Sequence, residues 1–117
     1  MEANTLLAAA RLAYPQYDWS YEVEAIPPDG GTRDTNRVAY FNDESDELIY
    51  FSLANPADAH ALMLALMEIG VQFIHPARTA DGLWCAFKYL GYNTFTVGRK
   101  SVVDTMLAAV ETLEAMK

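Results

Sequence analysis

The most regular hydrophobic pattern in the chain has helical spacing and runs from residue 55 to residue 70. Asn55 is a favourable N-cap, Pro56 suits the first helical position, and Gly70 suits a left-handed stop. We therefore predict a helix over Pro56–Ile69. Because only a narrow side of this helix is polar, it is either covered on more than one side or in contact with a partner. Its main apolar positions are Leu62, Leu66 and Ile69, widened by Met63 and Met67.

Leu64 interrupts the polar side of this helix, between His60 and Glu68. Met63 and Met67 adjoin it, and methionine-rich surfaces often serve as adaptable contacts. One hypothesis is that a second chain covers Met63, Leu64 and Met67 in a two-fold dimer. The alternative is that the N-terminal helix of the same chain covers Leu64.

Two further segments have helical patterns. The first is Leu6–Tyr14, which Pro15 ends because proline restricts the residue before it. The second is Val102–Ala115, which is apolar on one side only. Ser101 and Asp104 precede and open this last helix at the spacing of a capping box, with Asp in the place usually held by Glu.

Between the first two helices the hydrophobic period changes from 3.6 to 2. Tyr17–Ile26 alternates apolar and polar residues, which predicts a half-buried strand with an acidic outer face. Residues 27–31 form a run of turn-forming residues, and we extend this turn as a loop through Asn36. The expected inward positions are Tyr17, Trp19, Tyr21, Val23 and Ala25.

Five more short segments have strand character: Val38–Phe41, Leu48–Leu53, Val71–His75, Leu83–Leu90 and Tyr92–Val97. Because Leu48–Leu53 is apolar on both faces, we predict that it lies in the middle of a sheet. Short turns between consecutive strands indicate antiparallel pairing. The predicted fold is a single α+β domain, residues 1–117, with a mostly antiparallel five- or six-stranded sheet and helices packed on it in an α/β/α sandwich.

The formal net charge of −8 is unevenly divided along the chain. Residues 1–54 hold −7 of it and residues 55–117 hold −1. Clustered Lys and Arg are needed for phosphate contacts, so direct nucleic-acid binding is not expected. The acidic half favours a basic protein partner, or it serves solubility alone.

The acidic residues form a candidate partner-binding surface. Three project from one side of the first strand and four crowd the hairpin loop after the second strand. Carboxylates on alternate strand residues are about 6.5–7 Å apart, close to the spacing of phosphates along a nucleic-acid strand. Mimicry of DNA is therefore the alternative to ordinary protein binding. These residues are Asp18, Glu22, Glu24, Asp43, Glu44, Asp46 and Glu47.

Catalytic and metal-binding patterns are weak. Cys85 could act as a nucleophile with His60 or His75, but it lies in an apolar strand where free cysteine is commonly a core residue. The same three residues lack the spacing of a metal site. We expect no enzymatic activity, no cofactor and no metal. The segment Gly98–Ser101 contains two basic residues and leads into the N-terminus of a helix. It could therefore bind an anion, or it could be a solvated turn.

No apolar run approaches the ~20 residues that span a bilayer, so we expect no membrane contact. The first residues lack the basic segment of a signal peptide. One cysteine cannot form an internal disulfide. Together these features predict a cytoplasmic protein, in the host cell if the chain is encoded by a phage.

The order of elements resembles the phage ABA sandwich domain, a group of small phage and prophage proteins. The resemblance implies an α/β/α layering and a phage origin, and it implies no catalytic residue. The acidic loop Asn42–Glu47 and the insertion Pro27–Asn36 depart from the family. The resemblance rests on Trp19, the Ala-rich helix Asp58–Ile69, Gly70, the segment Asp81–Trp84 and the helix Leu107–Glu111.

The function we predict is that of a small acidic accessory protein of the phage type, which acts non-enzymatically by binding another protein. Inhibition of a bacterial defence system is one such role, suggested by the phage resemblance alone. The alternative is an acidic DNA mimic that blocks a nucleic-acid-binding protein.

Overall fold

The fold follows from a computed structural model that describes residues 3–26, 30–90 and 93–116. Within these ranges the chain forms three helices and six strands. The α+β class is confirmed, with antiparallel sheets and helices packed on them. The elements in chain order are α1 (Ala3–Ala13), β1 (Ser20–Ile26), β2 (Gly31–Asn42), β3 (Glu47–Phe51), α2 (Pro56–Glu68), β4 (Gln72–Ile74), a 3₁₀ turn (Pro76–Arg78), β5 (Trp84–Leu90), β6 (Asn93–Arg99) and α3 (Val102–Ala115).

The six strands are divided into two sheets rather than joined in the one sheet that we predicted. The N-terminal sheet has the order β1-β2-β3, and the C-terminal sheet has the order β4-β5-β6. Helix α2 lies between the two meanders in the chain. It packs mainly against α1 and α3.

The predicted limits of α2 and α3 are confirmed to within a residue at each end, because both helices carry strong capping signals. The Asn55 side chain accepts a hydrogen bond from the Ala57 N–H at 3.1 Å. At the other end Gly70 has a φ of +97°, and the Val71 N–H donates to the Leu66 carbonyl at 3.0 Å in a Schellman arrangement.

The start of α3 is fixed by Ser101. Its hydroxyl accepts a hydrogen bond from the Asp104 N–H at 3.0 Å, the first of the two bonds in the predicted capping box. The helix then buries one side, including Met106, Ala109 and Val110, against the rest of the core.

One hydrophobic core joins both sheets and all three helices. Leu62 and Leu66 of α2 are fully buried in it, as predicted, whereas Ile69 ends the helix and is 38% exposed. A buried carboxylate ties three elements together: Asp58 accepts hydrogen bonds from the Tyr14 hydroxyl at 2.9 Å and from the Ser52 N–H at 3.0 Å. Burial of this carboxylate is tolerated because both oxygens are hydrogen-bonded.

Three predictions about the positions of strands in the N-terminal sheet are wrong. The loop assigned through Asn36 is strand from Gly31 onwards, because β2 continues along β1 beyond the end of β3. The segment around Leu48 is an edge strand, since β2 occupies the centre of the sheet. The first strand begins at Ser20, and Tyr17 lies in the turn before it.

The far end of the β1–β2 pair extends past the core. A register shift between Tyr21 and Val23 breaks the alternation of β1, and Val23 is 56% exposed where we predicted an inward side chain. Ala25 is exposed for the same reason. Residues 27–29 of the predicted turn, Tyr92 at the start of the predicted strand Tyr92–Val97, and Gly91 before it lie outside the described residues.

Candidate partner-binding surface

The predicted acidic residues separate into two groups in the structure. Glu22 and Glu24 lie along β1, where arginines of β2 oppose them. The other carboxylates gather around the β2–β3 hairpin, and we call this group the acidic hairpin end. It comprises Asp18, Asp43, Glu44, Asp46 and Glu47.

Glu24 and Arg33 are direct cross-strand partners in the β1–β2 register. The Arg33 guanidinium contacts the Glu24 carboxylate at 3.0 Å, and both side chains are more than half exposed. Water screens such a pair strongly, so it adds little stability. It does cancel the charge of Glu24 towards a partner.

Glu22 is the centre of a polar network on the outer face of the N-terminal sheet. Its carboxylate contacts the Arg37 guanidinium at 2.6 Å and accepts hydrogen bonds from the Tyr50 hydroxyl at 2.6 Å and the Thr35 hydroxyl at 3.1 Å. The Arg37 guanidinium also lies over the Tyr50 ring, 5.2 Å from its centroid. The side chain of Glu22 is therefore fixed and neutralised.

The same network shifts two pKa values in opposite directions. The hydrogen bond from Tyr50 is the main cause that lowers the pKa of Glu22. Burial, the next largest effect, opposes it, and Thr35 and Arg37 lower the pKa further. The hydrogen bond to Glu22, followed by burial, raises the pKa of Tyr50. Both shifts favour the pair of an ionised Glu22 and a protonated Tyr50.

The acidic hairpin end is built differently. Asp18 and Asp43 line the same two surface depressions, one of which has a volume of about 540 Å³ and also includes Glu44. In the described part of the chain, the ion pairs are those of Glu22 and Glu24, and none involves a carboxylate of the hairpin end. This end of the sheet therefore presents clustered negative charge to solvent.

Local backbone geometry fixes the hairpin that carries these charges. The Asn42 side chain accepts a hydrogen bond from the Glu44 N–H at 3.0 Å. Asp46 has a φ of +57°, in the left-handed region that Asp tolerates better than most residues. Asn42 and Glu47 then pair across the start of the two strands.

Apolar side chains lie on the outer face of the sheet beside the acidic hairpin end. The β2–β3 register pairs Phe41 with Leu48 and Ala39 with Tyr50, so all four share one face. Phe41 is 53% exposed, Leu48 45% and Tyr50 41%. The opposite face carries Trp19, Val38 and Phe51, which are buried in the core.

The exposed residues Phe41, Leu48 and Tyr50 form an apolar patch, which was missed when the sequence was considered strand by strand. Asn42 and Glu47 flank a symmetric loop, and that symmetry pairs Phe41 with Leu48. Extending the pairing to β1 would have placed Phe41 on the same side as the predicted acidic face. The patch could have been found from the sequence only by considering the pairing of neighbouring strands.

Tyr17 and Tyr40 also line the depression of about 540 Å³ that includes Asp18, Asp43 and Glu44. Their rings stack 4.1 Å apart and 2° from parallel. Trp19 meets Tyr40 edge to face, with ring centroids 4.8 Å apart. These contacts join the turn before β1 to the hairpin, so Asp18 is held near Asp43 by aromatic packing.

The residues proposed for self-association lie on the outer side of α2. Leu64 is 48% exposed and Met67 54%, whereas Met63 is partly buried against the core. Helix α1 packs on another side of α2 and leaves Leu64 open, so the internal covering that we considered is wrong. The two-fold dimer stays a prediction.

Of the three candidate catalytic residues, His60 is exposed on α2, His75 precedes the 3₁₀ turn and Cys85 lies partly buried in β5. His75 accepts a hydrogen bond at Nδ1 from the Ala77 N–H at 3.1 Å and meets Trp84 edge to face. Burial, with a smaller effect of Asp81, raises the pKa of the Cys85 thiol, which opposes formation of the thiolate nucleophile. Among the described residues no group of three His, Cys, Asp or Glu could hold a metal ion.

Two further findings concern anions and membranes. In Gly98–Ser101, the Arg99 guanidinium donates to the Gly98 carbonyl at 2.7 Å and the Ser101 hydroxyl caps α3, so both groups already have partners there. None of the helices in the described ranges has the length and apolarity that a bilayer span requires.

Comparison of the chain with protein families, curated proteins and solved structures finds no significant match. The resemblance to the phage ABA sandwich domain stays a prediction.

Proposed function

We propose that this protein acts without catalysis, by binding another protein through the outer face of its N-terminal sheet. The observation that carries this proposal is the apolar patch directly beside the acidic hairpin end. An exposed apolar surface supplies affinity on burial, and clustered charge selects and steers the partner. The partner surface that fits is apolar with a rim of Lys or Arg.

The fixed network of Glu22, Arg37 and Tyr50 supports this role. A side chain that is already held in one geometry loses little entropy when a partner covers it. Tyr and Arg are also the residue types most often found at the energetic centre of interfaces. The network forms a rigid flank to the apolar patch.

A DNA mimic is the second candidate, and the charge of the acidic hairpin end favours it. Mimicry along β1 is less well supported, because Arg37 and Arg33 cancel the carboxylates of Glu22 and Glu24. A mimic would therefore depend on the five carboxylates of the acidic hairpin end, without the carboxylates along β1. The sequence resemblance adds a further proposal, a phage-type accessory role such as inhibition of a bacterial defence system. This role is compatible with ordinary protein binding and with DNA mimicry.

The test is affinity capture from a bacterial lysate, with and without competing double-stranded DNA. Wild-type protein is compared with the double variant Asp43→Lys/Glu44→Lys. The matched control is Glu68→Lys/Glu111→Lys, which makes the same change in net charge at exposed helix positions.

We expect a captured protein that the hairpin variant loses and the control keeps, with DNA having no effect. A partner that DNA displaces would instead support mimicry. Equal capture by both double variants would contradict both proposals, because the acidic hairpin end would then have no role.

A further inference from the structure

A groove lies along the open edge of the N-terminal sheet, separate from the acidic hairpin end. Its volume is about 540 Å³, within the range of sites that bind small molecules or peptide segments. One wall is the chain from Tyr50 to Ala54, and the other is the first two turns of α3. On the α3 side the groove is lined by Val103, Asp104 and Leu107.

Five consecutive residues, Tyr50–Ala54, line this groove. Of these, Tyr50 and Phe51 are the last two residues of β3, and residues 52–54 lead through a turn towards α2. Successive side chains of a strand point to opposite faces, so a groove on one face would meet only one of Tyr50 and Phe51. The groove therefore runs along the edge of β3 and its extension. In the described sheet β3 has a single neighbour, β2, on the other side.

The backbone of β3 has hydrogen-bonding groups on this edge. Ser52 directs its N–H away from β2, to the Asp58 carboxylate at 3.0 Å. Alternate residues of a strand direct their N–H groups to the same side, which places the Tyr50 and Leu48 N–H groups on the open edge. An open edge of this kind is a template for another strand.

We propose that the groove binds an extended segment of a partner protein, which adds to the edge of β3 as a fourth strand. Backbone hydrogen bonds to β3 would give affinity, and alternate apolar side chains would enter the groove towards Val103 and Leu107. Asp104 on the α3 wall favours a Lys or Arg in the segment, because Arg37, which lines the same groove, is already paired with Glu22. This inference shares with the proposed function the premise that the partner is a protein and the residues Arg37 and Tyr50, which line the groove and also belong to the network on the outer face.

Charge argues for a foreign segment over a second copy of this chain. Each copy carries −8, so two copies repel as they approach. Pairing of two β3 edges would also bring the two acidic hairpins near a common interface. A neutral or basic segment meets no such cost.

The probe is a random-sequence peptide library displayed on yeast and selected on the immobilised full chain. Enriched peptides are resynthesised and titrated by isothermal calorimetry and by NMR. We expect sequences with alternating apolar residues and a basic residue. We also expect shifts confined to residues 48–54 and the start of α3, and slower amide exchange at Tyr50.

Tyr50→Pro is the decisive variant, with Tyr50→Ala as its matched control. Proline removes the edge N–H, and edge strands tolerate it. Relative to Tyr50→Ala, it should weaken peptide binding about tenfold, the effect of one lost hydrogen bond. Val103→Glu, on the opposite wall of the groove, should abolish peptide binding. It replaces Tyr50→Pro as the test if Tyr50→Pro does not fold.

Several results would overturn this inference. One is a library that yields no enriched peptide, and another is binding that Tyr50→Pro and Val103→Glu leave unchanged. A wild-type dimer by light scattering that Tyr50→Pro dissociates would show that a second copy occupies the edge. Asp43→Lys/Glu44→Lys should keep peptide binding, so failure of the proposed function and failure of this inference are distinguishable.

Discussion

The two sheets bury one face each in a common core, yet their outer faces differ. The N-terminal sheet shows charged and apolar side chains together, with Glu22 and Arg37 beside Phe41 and Leu48. The outer face of the C-terminal sheet, on the side of Cys85, is uncharged in the described residues. It carries Gln72, Ile74, Cys85, Phe87, Tyr89, Thr94 and Thr96.

This difference shows where the acidic half of the sequence, residues 1–54, lies on the folded molecule. The stretch that holds most of the net charge is also the stretch whose sheet carries the acidic hairpin end and an exposed apolar patch. Solubility alone does not require apolar residues next to the charge. The contrast between the two outer faces is therefore the reason for assigning partner binding to the N-terminal sheet.

The comparison assumes that the two sheets belong to one cooperative unit. Leu66→Ala tests this most strongly, because Leu66 is fully buried in the core that joins both sheets. We expect a loss of about 3 kcal/mol in the free energy of unfolding. Leu64→Ala, at the exposed position of the same helix, should cost less than about 0.5 kcal/mol.

Urea unfolding and amide exchange measure both effects. Amides of β2 and β5 should lose protection by the same amount in Leu66→Ala. If one sheet lost protection while the other kept it, the sheets would be separate units and the comparison would fail.

Tyr14→Phe sharpens the account of how the N-terminal elements are held. It removes the hydroxyl that donates to Asp58 and should cost about 1 kcal/mol. Burial, and then the hydrogen bond to Asp58, raise the pKa of Tyr14 from 10.0 to about 12. Since the folded state retains the proton that the unfolded state releases, stability falls as pH rises from 10 towards 12.

Tyr14→Phe should therefore lose less stability than the wild type over that alkaline range. Thermal unfolding at a series of pH values measures this. Equal alkaline losses in both proteins would show that Tyr14 has no raised pKa.

Glu22→Gln tests whether the network on the N-terminal sheet is fixed before a partner binds. The pKa of Glu22 is lowered, so its contribution to stability is present above the ordinary glutamate value and is lost as pH falls through the lowered folded value. The variant should show a shallower loss of stability in acid. Unfolding midpoints across the acidic range measure it, and an unchanged slope would contradict the network.

Arg33→Ala should have the smallest effect, below about 0.5 kcal/mol, because its ion pair with Glu24 is exposed. Its measurement is the same urea titration. A loss above about 1 kcal/mol would mean that the far end of the β1–β2 pair contributes to the fold more than an exposed pair does.

Helices α2 and α3 could be predicted because local signals fix their ends: Asn55, Gly70 and Ser101 act within a few residues of their own positions. The division into two sheets could not, because it depends on which distant strands meet. The edge position of β3 was missed for a related reason. Apolar residues on both of its faces were interpreted as burial, whereas Leu48 and Tyr50 form an exposed patch.

The candidate site was predicted in part. The acidic residues were identified from sequence, but the arginines that neutralise Glu24 and Glu22 are Arg33, in the segment assigned to a loop, and Arg37, between that loop and the predicted strand Val38–Phe41. Cross-strand register decides these pairs, and a register shift in β1 alters it. The hydrophobic pattern of a single strand contains no information about cross-strand register.

The most direct test of the central claim compares the two outer faces in the same capture experiment. Phe41→Ser/Leu48→Ser changes the N-terminal sheet, and Phe87→Ser/Tyr89→Ser makes a matched change on the C-terminal sheet. Circular dichroism first establishes that both variants are folded. The account predicts that the first variant loses the captured partner and the second keeps it. Retention by the first variant, or loss by the second alone, would contradict the assignment of binding to the N-terminal sheet.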